Sequence, residues 1–197
     1  MYTIINGSPK PQNSNSKYFL REIFKEDKIY ELKKDNYDEI IQNINNTNII
    51  VLSFPLYVDS PPSITLKFLD YIIDENINLK EKKLYLIINC GFKEGEQNIT
   101  ARNIIKNWCR KTHIEYMGSL LIGSGETQRK KRHKIISYPT TKKLKKLKNK
   151  ISKKEKFTDE ITTISIIGNK LYCFIANNWW TRKGRKNKLR IDEIKAK

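Results

Sequence analysis

YTIINGSPKPQNSNSKYFL, residues 2 to 20, decides how this chain is read. It opens as a short apolar strand through Tyr2, Ile4 and Ile5 and breaks at Asn6 and Gly7. A loop of hydroxyl and amide side chains follows, and a helix begins near Ser14. A strand that ends in such a loop at a helix N-terminus can hold a phosphate, because unpaired backbone N–H groups and the helix dipole both favour an anion there. The loop has no G-x-x-x-x-G-K-[ST], and Gly7 has no G-x-G-x-x-G partners, so neither a Walker loop nor a dinucleotide fingerprint is present. Ser8, Ser14 and Ser16, with Asn13 and Asn15, can instead surround a terminal phosphate with side-chain and backbone donors, Lys10 adding an optional cation. The same residues also make an ordinary solvated turn with Ser14 as the helix cap. Alone, the stretch leaves both readings open.

Working outward, strands and helices alternate. The first helix, residues 14 to 25, is followed by a weak strand at 28 to 32 and a helical pattern at 36 to 46 through Tyr37, Ile40, Ile41 and Ile44. NIIVLSF, residues 48 to 54, is a continuous β-branched run suited to a central parallel strand. PLYVDSPP, residues 55 to 62, is a proline-dense loop, and residues 63 to 73 form a helix that Ser63 is able to cap. KKLYLIINC, residues 82 to 90, is another buried strand; a helix over 97 to 111 and a fifth strand over 114 to 122 follow, ending in a loop from Gly123 to Thr127. Five strands with four crossover helices predict an α/β flavodoxin-like three-layer sandwich, with a parallel sheet of order 2-1-3-4-5. Ligands of such a sheet lie outside the carboxyl ends of the strands, at the switch point between strands 1 and 3.

Composition narrows the class. The 197 residues carry a formal charge of +18, but residues 1 to 127 hold 16 basic and 16 acidic side chains while residues 128 to 197 hold 23 against 5. The excess belongs to the last third alone. Cys90, Cys109 and Cys173 are odd in number and far apart, which indicates neither a disulfide framework nor a zinc site and suits a reducing cytoplasm. No basic segment leads into an apolar run at the start, and no stretch has the apolar length of a membrane span. No metal is expected.

The loops at the predicted switch point decide between the readings of the first. Tyr57 and the backbone N–H groups from Tyr57 to Ser60 are placed to pack against and bond a flat heteroaromatic ring, and Pro61 and Pro62 limit the loop's movement. The loop around Cys90, Gly91 and Phe92 adds backbone donors, with Gly91 allowing close approach. Phosphate at one end and a planar ring at the other describe a mononucleotide.

N-G-S-P-K at 6 to 10 with S-N-S at 14 to 16 resembles the phosphate loop of the flavodoxin-like NAD(P)H-dependent FMN reductase family, and P-L-Y-V-D-S-P-P at 55 to 62, with Asp70 beyond it, is similar to that family's P-x-Y-x-x-S-x-P loop. Lys10 stands where an arginine is common, and Lys67 one place later than the family's lysine. The resemblance covers residues 1 to about 127. It implies bound FMN, with Ser8, Lys10, Ser14, Asn15 and Ser16 at the phosphate, and with Pro55, Leu56, Tyr57, Val58, Asn89, Cys90, Gly91 and Phe92 around the isoalloxazine. It also implies hydride transfer from NAD(P)H to the FMN and onward to a second acceptor: a flavin, quinone, nitro or azo compound, or metal ion. The flavin carries that chemistry, so no catalytic acid, base or nucleophile of the chain is expected. His113 and His133 are read as a strand-edge and a basic-loop residue, and Cys90 as a packed strand-end thiol. An FMN-binding electron carrier without direct NAD(P)H reactivity, and a nucleic-acid or membrane module with a degenerate flavin site, are the alternatives.

In the basic third, TTKKLKKLKNKISKKEKF, residues 140 to 157, spaces Leu144, Leu147 and Ile151 as the buried stripe of a fifth helix with a solvated lysine face. The flavin domain is therefore expected over residues 1 to 157. Residues 158 to 197 form an aromatic and basic helical extension in which Tyr172, Phe174, Trp179 and Trp180 precede a basic run from Arg182 to Arg190. This resembles the A-N-x-x-W tail of some anaerobe-type flavodoxin-like oxidoreductases. Packing within a homodimer is the expected role of the extension, with covering part of the flavin site or lying on a membrane surface as the competing readings; for the basic third as a whole, an anionic partner, either nucleic acid or membrane, is the alternative.

Overall fold

The computed structural model describes residues 2–129, 134–163, 169–188 and 190. The first of its two compact units, Met1–Thr163, is built on a six-stranded sheet of order β2-β1-β3-β4-β5-β6 with every pairing parallel. The strands are β1 (Tyr2–Asn6), β2 (Ile29–Glu31), β3 (Ile49–Pro55), β4 (Lys83–Asn89), β5 (Glu115–Ile122) and β6 (Glu160–Thr162). Helices α1 (Asn15–Ile23), α2 (Tyr37–Asn45), α3 (Ser63–Asp74), α4 (Ile99–Thr112), α5 (Gly125–Arg129) and α6 (Lys134–Ser152) connect them. The flavodoxin-like doubly wound order is thus present, extended by one edge strand.

The two faces of the sheet are distributed by the two-residue period of its strands. Ile50, Leu52, Phe54, Leu84, Leu86, Ile88 and Leu121 pack against α2, α3 and α4. Their neighbours Ile49, Val51, Tyr85, Ile87, Leu120 and Ile122 pack against α1 and α6. Both faces being covered is why β3 and β4 read as unbroken apolar runs. Leu144, Leu147 and Ile151 of α6 are buried in the second of these clusters, as the helical spacing predicts, and the lysines between them face outward.

Four expectations need correction. β6 falls within the stretch assigned to the extension, and the compact unit runs on to Thr163 because this strand pairs with Leu120–Ile122. The predicted loop from Gly123 to Thr127 instead turns into α5, whose Gln128 donates to Gly123 O at 2.6 Å. Ser63 does not cap α3, since Pro62 holds the cap position and its carbonyl accepts from Thr65 and Leu66. His113 is not a strand-edge residue; it ends α4 in the left-handed conformation with φ 57°. His133 lies outside the described residues. In the second unit, Ile164–Lys197, residues 169 to 186 form α7 (Asn169–Lys186).

Candidate functional site

A cleft of about 410 Å³ opens at the carboxyl ends of β1, β3 and β4, in the size range of small-molecule sites. Its walls are Ser8, Lys10, Asn13, Ser14 and Asn15 from the first loop, Pro55, Leu56 and Tyr57 from the second, Asn89, Cys90 and Gly91 from the third, and Glu126 and Arg129 from α5. Three loops far apart in sequence therefore meet at the topological switch point. A larger cleft of about 720 Å³ lies where α4 runs into β5, lined by Lys106, Arg110 and His113 among others. It has no phosphate-loop geometry, and the switch-point rule favours the smaller one.

Asn6 builds the first loop. Its side-chain carbonyl accepts from Ser8 N–H at 3.2 Å, and its amide donates to Ser14 Oγ at 3.2 Å and to the carboxylate of Glu31. Lys17 holds that carboxylate from the other side at 2.7 Å. Gly7 passes so close to α3 that an added Cβ would sit 2.3 Å from Thr65 Oγ1, which itself donates to Gly7 O at 2.9 Å. Ser14 is the N-cap of α1, accepting from Lys17 N–H at 3.1 Å.

This wiring sorts donors from acceptors. Ser14 Oγ accepts from two internal donors, Ser8 Oγ accepts from Lys10 N–H at 3.3 Å, and Ser16 Oγ accepts from Asn89 Nδ2 at 2.8 Å. Ser14, with both lone pairs taken, has only its proton left to give, and Ser8 and Ser16, each already accepting one bond, keep theirs as well. The first N–H groups of α1, on Asn15 and Ser16, find no acceptor among the described residues, and the first turn of the helix carries no acidic side chain. Lys10 and Arg129 add positive charge at the rim, with Glu126 the one opposing charge. Hydroxyl donors, orphan N–H groups and the positive end of a helix dipole facing one cleft suit a phosphate. Ser16 is fully buried, so its hydroxyl supports the loop from behind rather than lining the cleft.

The other end is flatter and more apolar. Tyr57 is 45% exposed beside Pro55 and Leu56. Tyr57 and Ser60 exchange two backbone bonds, N–H to O at 2.9 Å and 3.1 Å, which closes a tight turn through Val58 (φ 48°) and Asp59 (φ 58°). The N–H groups of Tyr57 and Ser60 are thereby used internally, leaving those of Val58 and Asp59 for any ligand. Val58 points to solvent, 98% exposed, and Phe92 also stands outside the cleft, 59% exposed. Around Gly91, an added Cβ would meet nothing within 4 Å, so this backbone faces open space. Lys67 and Asp70 lie on the solvent side of α3, away from the walls.

Cys90 sits at the end of β4, buried, donating its thiol to Phe92 O and Glu94 O and accepting from Asn98 Nδ2 at 3.5 Å. Burial pushes its thiol up from the usual range, which suits packing rather than redox chemistry.

Sequence reasoning missed Asn6, Glu126 and Arg129. Asn6 carried a signal as the polar residue ending a buried strand. Arg129 did not: its guanidinium donates to both the carbonyl and the side chain of Asn13, 116 residues away, across a pairing no local pattern encodes.

No protein-family model and no curated protein sequence matches the chain. Among solved structures, it is similar to an NADPH-quinone reductase from P. pentosaceus, with TM-score 0.57 and 17% identity over 77% of this chain and 96% of that one. It is similar also to a Fusobacterium nucleatum flavodoxin bound to flavin mononucleotide, with TM-score 0.55 and 14% identity over 79% and 98%. An NADH:FMN oxidoreductase in its apo form gives TM-score 0.54 and 12% identity over 75% and 88%. These likenesses establish the flavodoxin-like fold of the chain.

Proposed function

We propose that this chain is an FMN-dependent oxidoreductase that accepts a hydride from NADH or NADPH and passes reducing equivalents to a second acceptor, a flavin, a quinone, a nitro or azo compound, or a metal ion. One observation carries the reading: at the switch point, a cleft with serine hydroxyls and the head of α1 at one end has Pro55, Leu56, Tyr57 and the open Gly91 backbone at the other. A terminal phosphate and a flat ring, joined by a short polar chain, match those two ends. The likeness to flavin-binding proteins of the same fold adds to it.

FMN bound here supplies the two-electron chemistry. The chain's own work is binding and orientation. Ser8 and Ser14 would donate to the phosphate, with Lys10 neutralising part of its charge, and the Asn6–Glu31–Lys17 chain fixes the Ser14 hydroxyl and the Ser8 backbone. Asn89 links the phosphate end to the ring end, donating to Ser16 Oγ at 2.8 Å and to Phe54 O at 3.2 Å, while its own carbonyl accepts from Leu56 N–H at 2.8 Å. Tyr57, exposed on a turn closed by its own backbone bonds, is placed to cover one face of the ring.

Purified protein tests this directly. The expected preparation is yellow or becomes so with added FMN, and its flavin absorbance bleaches on anaerobic addition of NADH or NADPH. A protein that cannot be reconstituted with FMN refutes the reading, and one that binds FMN without bleaching is an electron carrier instead.

A further inference from the structure

In the second unit, Leu171, Phe174, Ile175 and Trp180 of α7 are all exposed. At 100° per residue Leu171, Phe174 and Ile175 gather on one face of α7, with Trp179 at its edge and Trp180 on the opposite side. Polarity also changes along the axis: after Asn169 and Lys170 the apolar residues run on to Trp180, broken by Asn177 and Asn178, and the next turns carry Arg182, Lys183, Arg185 and Lys186. At the junction the rings of Trp179 and Trp180 meet edge to face, 4.7 Å between centroids, and Lys183 Nζ lies 4.2 Å from one ring centre and 5.5 Å from the other.

An apolar face, then an aromatic pair, then cations along one helix is the order in which a bilayer presents its acyl boundary, its interface and its headgroups. Residues 164 to 197 hold nine basic against two acidic side chains, which favours an anionic surface. Among the described residues no helix is long and apolar enough to cross a membrane. We propose that α7 docks the protein on a bilayer surface containing anionic phospholipid, the face of Leu171, Phe174 and Ile175 inserted, Trp179 and Trp180 at the level of the headgroups, and the following cations against lipid phosphates. This stands independently of the flavin site.

Flotation of the full chain with vesicles tests it. The protein should rise with vesicles of equal parts phosphatidylglycerol and phosphatidylcholine, stay down with phosphatidylcholine alone, and lose binding as salt rises. Brominated acyl chains should quench part of the tryptophan emission, since Trp108 in α4 is buried and gives an unquenched background. W179A together with W180A should cut the bound fraction about tenfold, and so should R182S, K183S, R185S and K186S combined, which changes only exposed charge. Flavin retention should be the same in all. No flotation with anionic vesicles, or equal flotation of both variants, overturns the proposal. So does a lipid-free dimer abolished by W179A and W180A, or duplex DNA bound through the cations while vesicles are not.

Discussion

Replacing Ser14 with Asp separates phosphate recognition from folding. Ser14 Oγ caps α1 through Lys17 N–H at 3.1 Å and accepts from Asn6 at 3.2 Å. A carboxylate keeps both bonds, because Asp is as good an N-cap as Ser, and its charge gains about 0.3–1 kcal/mol from the helix dipole. Stability should therefore hold or rise slightly. Toward a ligand phosphate the sign reverses. Two unit charges about 4 Å apart at an effective dielectric constant near 20 repel by about 4 kcal/mol, and the donated hydroxyl proton is lost as well. The expected result is roughly a thousandfold weaker FMN binding, read by fluorescence titration of apoprotein, alongside an unchanged melting temperature. Riboflavin, which lacks the phosphate, is the control, and its weaker affinity should not differ between S14D and the parent. FMN binding within tenfold of the parent, or an equal loss for riboflavin, would refute the placement of the phosphate at the head of α1.

Gly7→Ala should lower stability by about 1–3 kcal/mol, since its Cβ would meet Thr65 Oγ1 at 2.3 Å and Phe54 Cβ at 3.2 Å; urea unfolding measures it, and T65A in the same chain, which removes that oxygen, should recover part of the loss while T65S, which keeps it, should not. Val58→Gly should raise stability by about 1 kcal/mol, because a β-branched residue at φ 48° is strained and its exposed side chain contributes no packing; a fall in melting temperature would count against the turn. Alkylation at neutral pH followed by peptide mapping should label exposed Cys173 and spare Cys90 and Cys109, both buried. Burial pushes the Cys109 thiol from 9.0 up to about 12, so the unfolded chain releases that proton first. The stability it represents is complete below pH 9 and is lost as pH rises toward 12. Unfolding midpoints on either side of pH 9 should show a shallower decline for C109A than for the parent.

The sheet was legible because its strands are buried on both sides. Val51, Leu52, Leu86 and Ile87 had to be apolar on successive residues, which only a central parallel strand requires. Most of the cleft was legible too, since each wall loop interrupts such a run with Gly, Pro or small polar residues. What escaped was short or distant. β6 spans three residues, too few for a period to show, and it is secured by pairing with Leu120–Ile122. α5 looks like a Gly-Ser loop, and its helical turn depends on Gln128 reaching back to Gly123. Ser16 reads as equivalent to Ser14 in the pattern S-N-S, yet Ser14 is the extended N-cap while Ser16, two positions on, lies inside the first turn, which turns its hydroxyl away from the cleft and onto Asn89.

That rotation gives the two serines different tasks and makes Asn89 the joint of the site. Its amide reaches Ser16 behind the phosphate loop and Phe54 O at the end of β3, and its backbone carbonyl fixes Leu56 in the ring-side loop. An added Cβ on Gly125, at the start of α5, would lie 3.2 Å from Asn89 Oδ1, so that side as well is in close contact. A single buried amide thus sets the spacing between the hydroxyl end of the cleft and its apolar end. Its partners are the neutral Ser16 hydroxyl on α1 and the Phe54 carbonyl in β3, and two donated bonds at 2.8 Å and 3.2 Å hold it in one orientation. The spacing is therefore fixed before any ligand arrives, and binding need not meet the cost of ordering loops. In the proposed FMN complex, rim charges such as Lys10 and Arg129 would tune affinity for the anion, while the spacing between the two ends of the cleft is a property of the sheet.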